Sequence, residues 1–312
     1  MAAALVALTS ATPAPAQDAK RLNIVATTAM IGDAVRQIAG ERASVTVLMG
    51  EGIDPHTYRQ TRSDVVTMTR ADAVFWHGLN LEAQLAEFLA DLARRKPVVA
   101  LGERVPRHKL MEDPAAPGKP DPHVWMDPRL WRDVVIAARD ALATLDPAGQ
   151  STFDTNAAQH LSEIERLAAY ADRALATVPE TSRVLVTAHD AFNYFGRAYN
   201  YEVVGIQGIS TESEAGLRQI EDIVRLLLER KIRSVFVESS VSERNVLALV
   251  EGAAARGHTV AIGGQLFSDA MGAPGTYEGT YIGMIDHNVT VITRALGGDA
   301  AKTGLNGRLA AQ

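Results

Sequence analysis

At 312 residues the chain exceeds the size at which one hydrophobic core usually stops growing, so two lobes of about 130 residues each are the default. The formal charge of −6 offers no basic face for nucleic acid and no polybasic membrane signal. The absence of cysteine removes disulfide frameworks, thiolate zinc sites, thiol catalysis and a lipid-modified N-terminal thiol, so any metal must be held by histidine and carboxylate.

Residues 1–16 begin Met-Ala-Ala-Ala-Leu-Val-Ala-Leu and end Ala14-Pro15-Ala16, which reads as the apolar stretch and cleavage site of a secretory signal without its usual basic start. No run of roughly 18 or more apolar residues follows. The mature protein is therefore expected to be soluble and exported, most simply to a bacterial periplasm, and not to be a lipoprotein.

From Leu22 short β-rich runs alternate with amphipathic segments. Ile24–Thr27, Val45–Leu48, Ala73–Trp76 and Val98–Leu101 read as strands, and this alternation implies an α/β lobe over 22–145 with a parallel sheet covered by helices on both faces. A polar, proline-rich stretch from Gly102 to Pro120 interrupts the pattern. Residues 146–179 then predict one long helix, with Asp146 as cap, Pro147 in the first turn and Pro179 as stop. Phe153, Ala157, Leu161, Ile164, Ala168, Ala171, Leu175 and Val178 form its apolar stripe, and some 32 residues make a rod of roughly 48 Å. So stiff a connector implies limited lobe motion. The pattern restarts in a second α/β lobe over 183–312, with strands expected at Val184–Thr187, Glu202–Gly205, Ser234–Val237 and Thr259–Ile262 and a clear helix between Glu214 and Lys231.

Two Asp-Pro-His tripeptides, Asp54-Pro55-His56 and Asp121-Pro122-His123, present histidine from backbone that proline stiffens. A third histidine, His189, sits at the end of a strand, and all three lie at carboxyl ends of strands or in the loops beyond, where open α/β sheets bind ligands. Asp269, in a loop of small residues after the last strand, completes a metal-ligand set in the cleft between lobes. Glu238 ends a strand beside the proposed site and is a candidate acceptor for the free N–H of a ligand histidine, the alternative being a surface carboxylate.

Asp54-Pro55-His56-Thr57-Tyr58, Asp121-Pro122-His123-Val124-Trp125-Met126-Asp127, Thr187-Ala188-His189-Asp190-Ala191-Phe192-Asn193-Tyr194-Phe195 and Gly208-Ile209-Ser210-Thr211-Glu212 occur in this order. Together they resemble the metal-binding solute-binding proteins of zinc and manganese ABC importers, the ZnuA/TroA-like family, from about Leu22 to the C-terminus. The resemblance implies two lobes bridged by one long helix, metal bound between them by His56, His123, His189 and Asp269, and a membrane permease with a cytoplasmic ATPase as partners. A monomer is expected. Three imidazoles and one carboxylate favour Zn²⁺ over Mn²⁺, and manganese binders of the resembling family typically carry Glu where this chain has His189, although some relatives with His there also take manganese. A manganese or iron binder is the neighbouring alternative.

The rival from another class is a zinc hydrolase using the three histidines, with Asp269 or Glu238 as general base. No His-Glu-x-x-His helix supports it, and a binding protein that is not an enzyme is the expected function. A periplasmic adhesin or metal chaperone is a further alternative. His77 stands where the family commonly has Asn, and either lines the cleft mouth or serves structure. His108 is expected in a solvated loop, His160 facing away from the apolar stripe, His258 before a strand and His287 on the C-terminal helix.

Overall fold

The computed structural model describes residues 21–310, so the signal-like segment lies outside the described residues. In the first half, β1 (Leu22–Thr28), β2 (Ala43–Met49), β3 (Ala73–Trp76) and β4 (Val98–Ala100) form one parallel sheet in the order β2-β1-β3-β4. Helices α1 (Ala29–Ala39), α2 (Arg62–Arg70) and α3 (Ala86–Ala93) connect the strands. Alternation along β1 sends Ile24 and Ala26 into one apolar cluster and Val25 into another on the opposite face, so the sheet is covered on both sides. Thr28 caps α1 by accepting from the Ile31 N–H at 3.4 Å, and Thr61 with Asp64 forms a reciprocal capping box on α2.

Helix α4 (Pro128–Leu145) starts on an Asp127 cap with proline in its first turn, and α5 (Gln150–Ala176) follows after a single 3₁₀ turn. The expected helix over 146–179 is thus an α-helix of 27 residues, about 40 Å long. Asp146 does not cap it; its carboxylate instead receives Arg42 Nε at 2.7 Å. His160 is buried, 3% exposed, which corrects its expected outward orientation. It lies three residues after Ala157 and four before Ile164, so the helical period puts it on the packed face, whereas Leu161 is only partly buried.

The second half contains β5 (Val184–His189), α6 (Asn193–Tyr199), β6 (Glu202–Gln207), α7 (Leu217–Glu229), β7 (Ser234–Glu238), α8 (Arg244–Ala254), β8 (Ala261–Leu266) and α9 (Tyr281–Ala295). Its strands form two parallel pairs, β5-β6 and β7-β8, and β5 packs beside β7 without a shared ladder. The spatial order therefore repeats that of the first half. The last strand starts two residues later than the expected Thr259–Ile262 and ends four residues later, because two glycines, Gly263 and Gly264, continue it instead of ending it.

One apolar cluster runs from Ile24 and Phe75 through Trp131 and Ile164 to Leu185, Phe236 and Ile285, so both halves share a core built around α5 and α9. Every residue of α9 from Tyr281 to Thr293 is buried. Its first N–H is met by the first half, where Asp33 on α1 accepts from the Tyr281 N–H at 2.9 Å; Thr280 caps the Gly283 N–H at 3.1 Å, and the Tyr281 hydroxyl donates to the Trp125 carbonyl at 2.9 Å. Among the described residues no helix is long and apolar enough to cross a membrane. The shared core predicts a single urea unfolding transition, with Ile164→Ala lowering stability by about 2–5 kcal/mol. Two separated transitions would show that the halves fold independently.

Candidate metal centre

The two Asp-Pro-His tripeptides fold into the same local structure. In each, the aspartate Oδ1 accepts the N–H of the histidine two residues on at 2.9 Å, an Asx turn closed over a proline. The first turn follows β2 through Gly50-Glu51-Gly52, where Gly52 takes a left-handed φ of 70° that side-chain-bearing residues rarely adopt. The second follows the proline-rich stretch and leads through a buried 3₁₀ turn, Val124–Met126, into α4.

His189 is the last residue of β5, and Asp269 lies three residues past β8. The loop bearing Asp269 is pinned from two sides. Asn288 on α9 accepts from the Phe267 N–H at 2.9 Å and donates to the Phe267 carbonyl at 2.7 Å, while Trp125 Nε1 donates to the Ser268 carbonyl at 2.8 Å. Sequence reading alone did not reveal these supports, because Asn288 sits mid-helix and Trp125 lies far away in the chain.

The four side chains His56, His123, His189 and Asp269 meet at one buried point, each offering a ligand atom within 4.8 Å of the others. His56 Nε2 and His123 Nε2 are 3.3 Å apart. The Asp269 oxygens lie 3.5 Å from His56 Nε2, 3.3 Å from His123 Nε2 and 3.1 Å from His189 Nε2. A tetrahedral ion with bonds of about 2.0–2.1 Å sets its ligand atoms about 3.3–3.4 Å apart. The separations of 3.1–3.5 Å lie around that figure, within a set whose ligand atoms are all within 4.8 Å of one another.

Outer carboxylates orient two of the rings. Glu238 Oε2 lies 2.5 Å from His189 Nδ1 and its Oε1 accepts the His189 N–H at 2.9 Å; Asp121 Oδ1 lies 2.7 Å from His123 Nδ1. With Nδ1–H donated outward, each Nε2 lone pair points inward, the tautomer a metal ligand needs. Glu238 is buried and held on His189, so it is no free base for hydrolysis. Asp121, which the sequence marked only as a turn former, has the matching role on His123.

Burial pulls the imidazole of His123 down, but the charge of Asp121 and hydrogen bonds to Asp121 and Asp269 outweigh it, leaving its pKa at about 9. Burial also pulls the imidazole of His189 down, but the charges of Glu238 and Asp269 outweigh it and raise its pKa well above the ordinary value. Asp269, despite burial, is held well below the carboxylate range by His189 and His123. His56 is depressed to about 4, chiefly by burial, with His123 and His189 adding to that effect. At neutral pH two imidazolium charges therefore occupy the metal-free site, the charge a divalent ion would bring.

The other histidines fall outside the cluster. His77 is fully buried rather than lining the mouth; its Nε2 lies 2.8 Å from the Pro122 carbonyl, and burial lowers its pKa to about 3. A Cβ on Gly102 would stand 2.7 Å from the His77 carbonyl, so glycine is needed there. His108 is exposed, His258 precedes β8, and His287 is buried on α9 with Nε2 at 2.9 Å from the Gln265 carbonyl.

A family model described as the periplasmic zinc-uptake complex component A, ZnuA, matches residues 24–295. The chain belongs to the ZnuA family. Manganese-binding lipoprotein MntA of Bacillus subtilis is 45% identical to this ZnuA-family chain over 278 residues, 89% of the chain and 90% of that protein. Zinc-binding protein TroA of Treponema pallidum is 43% identical over 281 residues, 90% of each. The solved structure of periplasmic zinc binding protein TroA from Treponema pallidum matches with a TM-score of 0.86 at 42% identity, over 88% of this chain and 99% of that one. ZnuA-family proteins are metal-binding components of importers, not enzymes, so the hydrolase reading falls away.

Two outcomes follow from this geometry. Because His123 titrates at about 9 and His189 is raised well above its ordinary value, divalent metal must displace about two protons, and affinity should fall by up to about 100-fold per unit of pH lowered through neutrality. Calorimetry in buffers of different ionisation enthalpy counts those protons; zero release contradicts the charge balance. Glu238→Gln should weaken zinc binding by about 10–100-fold in competition with a chromogenic chelator, and an unchanged affinity would remove Glu238 from the site.

Proposed function

We propose that the protein captures a divalent transition metal between its lobes with His56, His123, His189 and Asp269, and hands it to an ABC permease driven by a cytoplasmic ATPase. The observation that carries this reading is the convergence of four buried donors from both halves on one point. Asp269 Oδ1, Asp269 Oδ2 and His189 Nε2 are buried, and among the described residues only the cluster's own imidazoles and carboxylate stand near them, at 3.1–3.5 Å. Buried acceptors in that condition are costly unless a cation completes them.

Zinc is the ion we assign. Three imidazoles and one carboxylate within 4.8 Å of one another suit it, and the identity of residue 189 as histidine supports the choice. Manganese is the second reading, favoured by the fact that both Asp269 oxygens face the cluster and could supply two oxygen ligands. Relatives of either metal resemble the chain about equally, so overall identity does not discriminate.

We place the protein outside the cytoplasm, in a periplasm, as a monomer of two lobes over 22–145 and 183–312 joined by the segment 146–179. Several relatives are named substrate-binding lipoproteins of metal ABC transporters. The 312 residues contain no cysteine, the residue such a lipid would need, and the names of these relatives run against the expectation of a protein without one.

After chelator treatment, free Zn²⁺ a thousandfold above Kd should stabilise the fold by about 4 kcal/mol, read as a raised melting temperature. His189→Glu should lower the zinc-to-manganese affinity ratio. A melting curve that neither ion moves would end the proposal.

A further inference from the structure

The lobes are tied together around the metal centre at several points, and these differ in burial. On the His123 side the Tyr194 hydroxyl donates to the Asp121 carbonyl at 2.8 Å and Trp125 Nε1 donates to the Ser268 carbonyl at 2.8 Å, both buried. On the His56 side the ties reach solvent. Thr211, in the loop after β6, donates its hydroxyl to Asp54 Oδ2 at 2.5 Å, and Gln84 Nε2 donates to Glu212 Oε1 at 2.5 Å between exposed side chains.

His56 is also the least secured of the three imidazoles. His123 and His189 have carboxylates on Nδ1, whereas no acceptor among the described residues meets Nδ1 of His56. Its turn is anchored through its backbone N–H to Asp54 Oδ1. The other Asp54 oxygen takes two hydroxyls, Thr57 at 3.0 Å from its own lobe and Thr211 from the opposite one. The approach to this turn is unpacked: a Cβ on Gly50 would meet nothing within 4 Å, and Ile53 is 40% exposed.

We propose that Thr211 is a positioning residue for metal retention: its bond to Asp54 latches the second lobe to the turn that presents His56, and breaking it opens the route by which the ion leaves. The inference rests on the reading that His56 is a metal ligand. The Gly208-Ile209-Ser210-Thr211-Glu212 motif thereby acquires a task on the site although none of its side chains belongs to the ligand set. Exit on this side leaves the buried ties at His123 and Asp269 intact, so a small movement of one turn suffices.

The test is zinc dissociation from the full chain, followed by stopped flow into excess chromogenic chelator. Thr211→Val keeps the shape and removes the hydroxyl. It should raise the dissociation rate about tenfold while leaving the association rate and the metal-free melting temperature at parent values. Thr211→Ser should return the rate to within about twofold of the parent. A parent rate in Thr211→Val, a fast rate in Thr211→Ser, or a metal-free melting temperature that falls in step with the rate would each overturn the latch. A parent chain that takes up no zinc would instead remove the ligand assignment beneath it.

Discussion

The structure depends on a cluster of hydrogen-bond acceptors assembled where water does not reach. Asp269 and three imidazole nitrogens face one another at 3.1–3.5 Å, and no donor from the protein is aimed at Asp269 except the imidazoles themselves. In a dry environment such a set repels itself unless positive charge enters. The raised pKa values of His123 and His189 favour protons that would supply that charge in the metal-free protein, and under the proposed function a divalent ion would supply it instead. Competition between the two follows from the packing, since burial and the carboxylates Asp121 and Glu238 set which nitrogens hold protons.

Holding the cluster together requires rigidity on one side and release on the other. The shared core around α5 and α9, the Asp33 contact with the start of α9, and the Trp125 link to Ser268 fix Asp269, His123 and His189 relative to one another. His56 is carried by a glycine-bounded turn with a solvent-reachable tie. A binding protein that must surrender its cargo benefits from such an asymmetry, because one ligand held less firmly than the others gives the ion a way to be released.

Much of this was legible in the sequence, and the legible parts share a cause. All eight strands announce themselves as short runs rich in apolar and β-forming residues, and their boundaries differ mainly at β8, where glycine usually signals a break but here continues the strand. His56, His123, His189 and Asp269 could be read because strand ends and proline-stiffened turns are local features. What escaped is non-local. The burial of His160 follows from which face of α5 meets α1 and α9, and the roles of Asn288, Trp125 and Thr211 arise from contacts between segments distant in the chain. Glu238 stands between these cases: its strand-end position was visible, its 2.5 Å contact with His189 was not.

Position 189 carries the argument for zinc, while the paired oxygens of Asp269 keep a manganese geometry within reach. The central claim, however, is where the ion sits and what holds it. Anomalous diffraction at the zinc edge from crystals of the metal-loaded chain tests that most directly. A single ion bound by Nε2 of His56, His123 and His189 and by Asp269, with bonds of about 2.0–2.2 Å, is the predicted result. An ion located elsewhere, or one whose fourth ligand is water with Asp269 turned away, would contradict it.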